Sequence, residues 1–398
     1  MTENVFAPGT AEHEAWQRQE AAEGAAVLDE LHELLCRYVV FPSPAAADAM
    51  VLWTAATHAQ HAWEHAPRCA VVSPEKRCGK SRLMDVVEAT SRASLVTVNI
   101  SPAALVRCIT PDGPPPTLFI DEADTIFGPR AGDNHEDLRG IVNSGHQRGR
   151  PYTRWDITTR QVEHLPTFAM AFLAGIGDLP DTIMDRAVVI RMRRRAPGEK
   201  VAPYRTRRDA PNLENLRKRL TGWVDDRLDD LRESVPVMPV EDRAADTWEP
   251  LIAVADCAGG HWPARGRNAA TLLVNAEQSI DAEASIGARL LRDIRDIFAD
   301  LPKVGFLASS ELVNRLFKLD DAPWKEINRG DPITQRWLAL RLGPYGVSSK
   351  HNSGRTLRGY HLADFTDAFA RYIPPEDVSA DDPPGEASPS VQAAEHAF

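Results

Sequence analysis

Cysteine is scarce in this chain and scattered: five residues, at positions 36, 69, 78, 108 and 257, with no C-x-x-C pair among them. That excludes a disulfide framework and a cysteine zinc site, and suits a reducing compartment. Long apolar runs are missing too. None approaches the roughly 18 residues that a membrane helix needs, so no membrane partner is expected. The start, Met1-Thr2-Glu3-Asn4, lacks the basic residues and apolar core of a secretory leader. The cytoplasm is the expected location. Net positive charge is absent as well, the formal balance being −11. Its distribution matters more than its sum. Residues 1–24 hold five Glu against one Arg, and residues 374–398 hold six acidic residues and no basic one. The body between them is close to neutral, and its stretch Arg186–Arg208 carries nine Arg or Lys against the single Glu199. Acidity of the whole is therefore no argument against a nucleic-acid partner.

What is present is organised around Val71-Val72-Ser73-Pro74-Glu75-Lys76-Arg77-Cys78-Gly79-Lys80-Ser81-Arg82. The apolar run Cys69–Val72 reads as a buried strand, and Arg82–Val87 has helical spacing. A strand, a Gly-Lys-Ser loop and a helix form a device in which backbone N–H groups and a helix N-terminus meet phosphate. ATP is the expected ligand, bound by Glu75, Lys76, Arg77, Cys78, Gly79, Lys80, Ser81 and Arg82. Lys80 would reach the β- and γ-phosphates and the Ser81 hydroxyl would hold Mg²⁺. The usual pattern has glycine where this chain has Pro74, which offers no N–H, so the start of the loop differs.

A second motif completes the first. Thr117–Ile120 is an apolar strand running into Asp121-Glu122-Ala123-Asp124, and Asp121 follows Lys80 by 41 residues. In a parallel sheet the carboxyl ends of strands share one edge. Asp121 can then join Ser81 on Mg²⁺, and Glu122 can act as general base on the attacking water. Asp185-Arg186 precedes the strand Ala187–Met192. Arg186 either projects into a neighbouring subunit's site, as in ring-forming ATPases, or pairs with Asp185 or Asp181 of its own chain. After the expected strand Phe168–Ala174, the one polar candidate for sensing the γ-phosphate is Asp178.

The remaining pattern alternates strand and helix: strand 94–100, helix 102–108, helix 135–147, β-like sequence over 151–164. This predicts a parallel sheet with helices on both faces. In the lead-in, helices are expected from Val27 and over 45–65. The second of these would set His58, His61 and His65 on one face, where packing and surface roles are favoured over a metal site. Residues 1–26 and 374–398 have the composition of disordered acidic ends. The boundaries are thus a lead-in at 27–66, a nucleotide-binding core at 67–195, a helical region at 196–284 and a small unit at 285–373. That unit has helices near 285–300, 310–318 and 332–342, a hairpin turn at Asn352-Ser353-Gly354 and a last helix at 363–372, a winged-helix-like order. Two basic sets are either solvated faces or nucleic-acid contacts: Arg193, Arg194 and Arg195, and Lys350, Arg355 and Arg358.

Several stretches together resemble a family of P-loop ATPases from phages, plasmids and integrated mobile elements, described as DNA primase/helicase-like or of unknown function. They are Leu52-Trp53-Thr54, Ser73-Pro74-Glu75-Lys76 before Gly79-Lys80-Ser81, Phe119–Asp124, Asn143–His146, Leu179-Pro180 with Asp185-Arg186, Pro250–Ile252 with Ala255-Asp256 and Ala258–Gly260, Pro323-Trp324 and Arg358–Tyr360. The resemblance implies a RecA/AAA+-like core and ATP-driven work on DNA in element replication, with a separate primase as partner and a homo-oligomer, such as a ring, as the working form. A helicase or remodelling motor is the first expectation. A non-translocating ATP-dependent replication initiator or regulator is the rival.

Overall fold

The computed structural model describes residues 11–97, 100–109, 113–127, 136–156, 160–284, 286–319, 322–327, 331–352, 354 and 356–373. The chain divides into two compact units, one ending at Glu277 and the other beginning at Gln278.

The first unit opens with helices α1 (Ala11–Tyr38) and α2 (Pro44–Ala56), then alternates: β1 (Arg68–Ser73), α3 (Lys80–Thr90), β2 (Ser94–Thr97), α4 (Pro102–Cys108), β3 (Thr117–Ile120), α5 (Ala123–Phe127) and α6 (Glu136–Ser144). A two-stranded antiparallel hairpin, β4 (Tyr152–Asp156) and β5 (Gln161–Leu165), precedes β6 (Ala171–Ile176), α7 (Asp181–Met184) and β7 (Ala187–Arg191). Helices α8 (Thr206–Asp225), α9 (Leu228–Glu233), α10 (Asp242–Ala258) and α11 (Trp262–Ala284) follow, the last running past Glu277.

Five strands form one parallel sheet in the order β2-β3-β6-β1-β7. Both faces are covered, which is why β1 and β6 read as unbroken apolar runs. Side chains alternate between two cores. Cys69, Val71, Phe119, Phe172, Val188 and Ile190 face one side, with α1, α2, α3, α8 and α10. Ala70, Val72, Leu118, Ile120, Leu173 and Val189 face the other, with α4, α5, α6 and α7. On the first face α2 is buried from Ala45 to Ala56 and packs against both α1 and α10. Its small residues permit that approach, and Ser43 caps it by accepting from Ala46 N at 3.2 Å. Trp53 donates to Pro67 O at 3.0 Å and meets the Phe172 ring edge-on, locking α2 to the start of β1.

The lead-in departs from the sequence reading in two places. First, the helix expected from Val27 begins at Ala11, so 11–26 is regular rather than frayed. Gly24 explains how it is held: a Cβ there would lie 2.8 Å from Ala258 Cα, so only glycine lets α1 approach α10 this closely. The acidic stretches 1–10 and 374–398 lie outside the described residues. Second, the helix expected over 45–65 ends at Ala56 in a short 3-10 turn, Thr57–Ala59. The three histidines therefore do not share a face. His58 is buried, its Nε2–H donating to Thr90 O at 2.9 Å and its Nδ1 lying 3.0 Å from the Thr221 hydroxyl. His65 instead pairs in a short bridge with Gln147. In the helical region that follows the core, Gly259 and Gly260 part α10 from α11.

The second unit has its own core of Leu290, Leu291, Ile294, Phe298, Leu312, Leu316, Trp324, Leu338, Tyr360 and Phe365. Its elements run α12 (Ile286–Ala299), β8 (Phe306–Ala308), α13 (Ser309–Phe317), α14 (Gln335–Leu342), β9 (Lys350–His351), β10 (Arg358–His361) and α15 (Thr366–Tyr372). The strands are antiparallel in the order β8-β10-β9. Thr334 caps α14, its hydroxyl accepting from Trp337 N at 3.1 Å. Asn352 closes the hairpin by accepting from Thr356 N and Leu357 N.

His58 makes stability depend on acidity. Burial, the largest cause, brings its pKa down from 6.5 to about 4, so the fold keeps it neutral while the unfolded chain protonates below 6.5. Its contribution is complete above pH 6.5 and is lost as pH falls toward 4. Between pH 7 and pH 5, unfolding by urea should show a loss of about 2 kcal/mol from this group. The loss should shrink in His58→Gln.

Candidate active site

The carboxyl edge of the sheet is where the two sequence motifs meet. Ser73, the last residue of β1, lies beside Ile176 of β6, and Ile120, the last of β3, lies beside Leu173. The loop after β1 and the acidic turn after β3 therefore flank the end of β6. Between them is a cavity of about 590 Å³ lined by Lys76, Arg77, Cys78, Gly79, Lys80, Ser81 and Arg82 on one bank and by Asp121, Glu122, Asp124 and Thr125 on the other, with Ala174, Gly175 and Ile176 as the floor.

Local geometry accounts for each bank. Gly79 has φ +89°, a left-handed conformation that favours glycine, and it turns the loop into the first residue of α3. Lys80 Nζ donates to Ser73 Oγ at 2.5 Å, and Ser73 Oγ donates to Glu75 O at 2.7 Å. Among the described residues no carboxylate forms an ion pair with Lys80. Glu122 has φ +53°, strained for a residue with a side chain, and its N–H donates to Asp121 Oδ1 at 2.9 Å. The carboxyl of Asp85 on α3 is raised by burial and by nearby Asp121, with Arg82 opposing.

Not every expected residue is at this cavity. Glu75 is outside its lining and forms an ion pair with Arg194 at 2.5 Å. The strand expected to end at Ala174 continues to Ile176. Asp178 is not in the lining and is held by Arg191, which also takes Glu277 of α11 through two bonds of 2.8 Å. Arg186 stands just before β7, on the amino edge of the sheet, with its carbonyl accepting from Arg68 N. It pairs with neither Asp185 nor Asp181: Nε donates to His146 Nε2 at 3.2 Å, Nη1 donates to Thr182 O at 2.7 Å, and Asp185 is taken by Arg243. Of the first basic set, Arg193 donates to Pro42 O, Arg194 holds Glu75, and Arg195 lines a second cavity. Of the other set, Lys350 pairs with Asp364 at 2.6 Å, Arg358 is exposed on β10, and Arg355 lies outside the described residues.

Two features escaped the sequence reading. Asp124 joins the acidic bank and braces the floor, its Oδ1 accepting from Ile176 N at 3.0 Å. The second cavity, about 320 Å³, lies on the other flank of the loop and shares Arg77, Cys78, Gly79 and Arg82 with the first. Its walls are Val39, Val40, Met192 and Val201 with Tyr38 and Tyr204, two buried rings in edge contact at 5.3 Å. The Arg82 guanidinium lies over the Tyr204 ring. An isolated tyrosine in the segment Pro203–Arg208 is the one signal that could have pointed there.

Comparison with known proteins adds a family. An uncharacterized 28.9 kDa protein in the xis 5′ region of Saccharopolyspora erythraea is 44% identical over 205 residues, spanning 51% of this chain and 75% of that protein. The chain belongs to the family of that protein. A family model described as a protein of unknown function (DUF3631) matches residues 191–372. Among solved structures, the A form apo structure of the NrS-1 C terminal region has 12% identity and a TM-score of 0.41, covering 84% of this chain and 75% of that one. The SCCmec type IV Cch active helicase has 10% identity and a TM-score of 0.36, covering 90% and 71%. Scores this low do not establish a common fold. The stretch matched by the family model begins at the end of β7, so both motifs of the cavity precede it.

The bond from Asp124 yields a prediction. Asp124→Ala leaves the Ile176 N–H without its acceptor and should lower unfolding free energy by about 1–2 kcal/mol in denaturant titration. Glu122→Gln, which removes no such bond, should leave stability unchanged.

Proposed function

We propose that the chain is an ATPase with a RecA/AAA+-like core that acts on DNA as a helicase or remodelling motor in replication of a phage or mobile element. One observation carries this reading: the Lys80-Ser81 loop and the Asp121-Glu122 turn line a single cavity at the carboxyl edge of a parallel sheet. A family relative named for its position in the xis 5′ region supports the mobile-element setting.

The residues suit the ligand. A lysine without a carboxylate partner, beside the first turn of α3, favours a polyphosphate. Among the described residues no group of three or more His, Cys, Asp or Glu could hold a metal alone. Ser81 and Asp121 are a minimal set, which fits magnesium brought in with phosphate oxygens. Bound there, the ion neutralises charge on the phosphoryl group. Glu122 takes the proton of the attacking water. The second cavity takes the base against Tyr38, Tyr204 and the valines. Arg186, remote from its own chain's cavity, serves the site of a neighbouring copy, so the working form is an oligomer.

The second unit reads as winged-helix-like: helix, strand, two helices and a β-hairpin occur in that order. Arg193 and Arg194 are engaged inside the chain and Lys350 pairs with Asp364, so Arg358, exposed on the hairpin, is the foremost DNA-contacting candidate, acting through backbone phosphates. Priming would come from a separate protein.

Lys80→Ala should lower ATP turnover at least about 100-fold. Arg186→Ala should lower it by roughly 1000-fold while ATP still binds. Mixing Arg186→Ala with Glu122→Gln should restore part of the turnover, since one copy then supplies the arginine and the other the base. Hydrolysis measured with and without DNA, beside the mass of the assembly, checks all three. Turnover indifferent to DNA would remove the motor.

A further inference from the structure

On the amino edge of the sheet, away from the loop, is a cavity of about 340 Å³ whose lining includes His65, His146, Arg150, Arg186, Arg243 and Asp246. Its charge is unbalanced. Arg243 is matched by Asp185, and Asp246 is 4.0 Å from His65 Nε2. Arg186 has no carboxylate partner, nor has Arg150, among the described residues. Next to the cavity wall at Ala66 and Pro67 is Arg68, fully enclosed, whose guanidinium donates to the carbonyls of Ala66, Ala169 and Val142 and, among the described residues, meets no carboxylate. A buried cation without a counter-ion, close to a second guanidinium, makes this edge a place that attracts an anion.

We propose that His146 is a positioning residue, which aims Arg186 at the terminal phosphate of a nucleotide carried by a second copy of the chain; this rests on the function proposed above. His146 Nδ1 is 2.9 Å from Asn143 O, an atom that can only accept, so Nδ1 carries the hydrogen. Nε2 faces the Nε–H of Arg186 at 3.2 Å, a group that can only donate, so Nε2 must be bare. Both partners demand the same neutral tautomer. A proton on Nε2 would oppose the guanidinium head-on. Burial first, with Arg68, Arg186 and His65 adding to it, lowers the pKa of His146 to about 4 and keeps the ring neutral. His65 stacks on the same ring, with centroids 6.2 Å apart, and its own Nδ1 is buried without a partner.

Held by His146 through Nε and by Thr182 O through Nη1, Arg186 keeps Nη2 without a protein partner among the described residues. A fixed fork with one free arm is what transition-state charge requires, because the ordering is done before the anion arrives. The loop cavity is on the carboxyl edge and this one on the amino edge. A head-to-tail contact between copies therefore brings one against the other.

The test is steady-state ATP hydrolysis by the full chain and its variants. His146→Asn keeps a donor for Asn143 O but is too short to accept from Arg186, whereas His146→Gln reaches Arg186 with its amide oxygen. His146→Asn should lower kcat about 10- to 100-fold with KM nearly unchanged, and His146→Gln should recover most of it. Combined with Arg186→Ala, His146→Asn should add no further loss. Should His146→Asn fail to fold, His146→Phe is a second variant without an acceptor. Unchanged kcat in the acceptor-free variant, while Arg186→Ala is impaired, would overturn the proposal alone. So would additive losses, or lost DNA affinity at normal kcat, which would give the cavity to nucleic acid. Wild-type chain without turnover, or Arg186→Ala with full turnover, would remove the reading beneath it.

Discussion

The rest of the molecule depends on an ammonium that, among the described residues, forms no ion pair. Lys80 is held at the tip of β1 by a neutral hydroxyl, Ser73. The strand that carries this tip is enclosed on both faces, so the position is stiff although the loop is exposed. Burial of Cys69–Val72 thus does more than stabilise the sheet. It fixes where a positive charge waits, and the parallel order of the strands fixes which acids face it. Chemistry at this edge follows from packing at the centre.

Polar contacts of a different kind tie the surrounding layers together. Gln60, buried at the end of the lead-in, accepts from Met170 N and donates to Pro115 O and Thr117 Oγ1, so one amide serves the approaches to β6 and β3. Asp48, the one charged residue of α2, accepts a charged hydrogen bond from Arg265 of α11. These pairings span long sequence distances and give the helical layer one arrangement on the sheet.

What could be read from the residues was what local pattern dictates. Apolar runs buried on both sides gave β1 and β3, and the spacing of glycine, lysine and serine against a strand ending in acids brought out the two banks of the cavity. What escaped were contacts made by folding. Asp124 bonds a backbone 52 residues away, and His146 acquires its partner 40 residues on. Tyr38 and Tyr204 share a wall that no window of sequence contains. Asp178, chosen as the polar residue after β6, is held by Arg191, another contact that only folding makes. The histidines of the lead-in failed for another reason, since a helical wheel assumes a helix that the 3-10 turn at Thr57 has already ended.

The strand order carries one more consequence. β6 intervenes between β1 and β3, so the lysine-bearing and acid-bearing tips stand two strand spacings apart, about 10 Å. The sheet is in effect a ruler. A solitary phosphate at either bank leaves the opposite one bare, and only an extended, multiply charged molecule can span the gap.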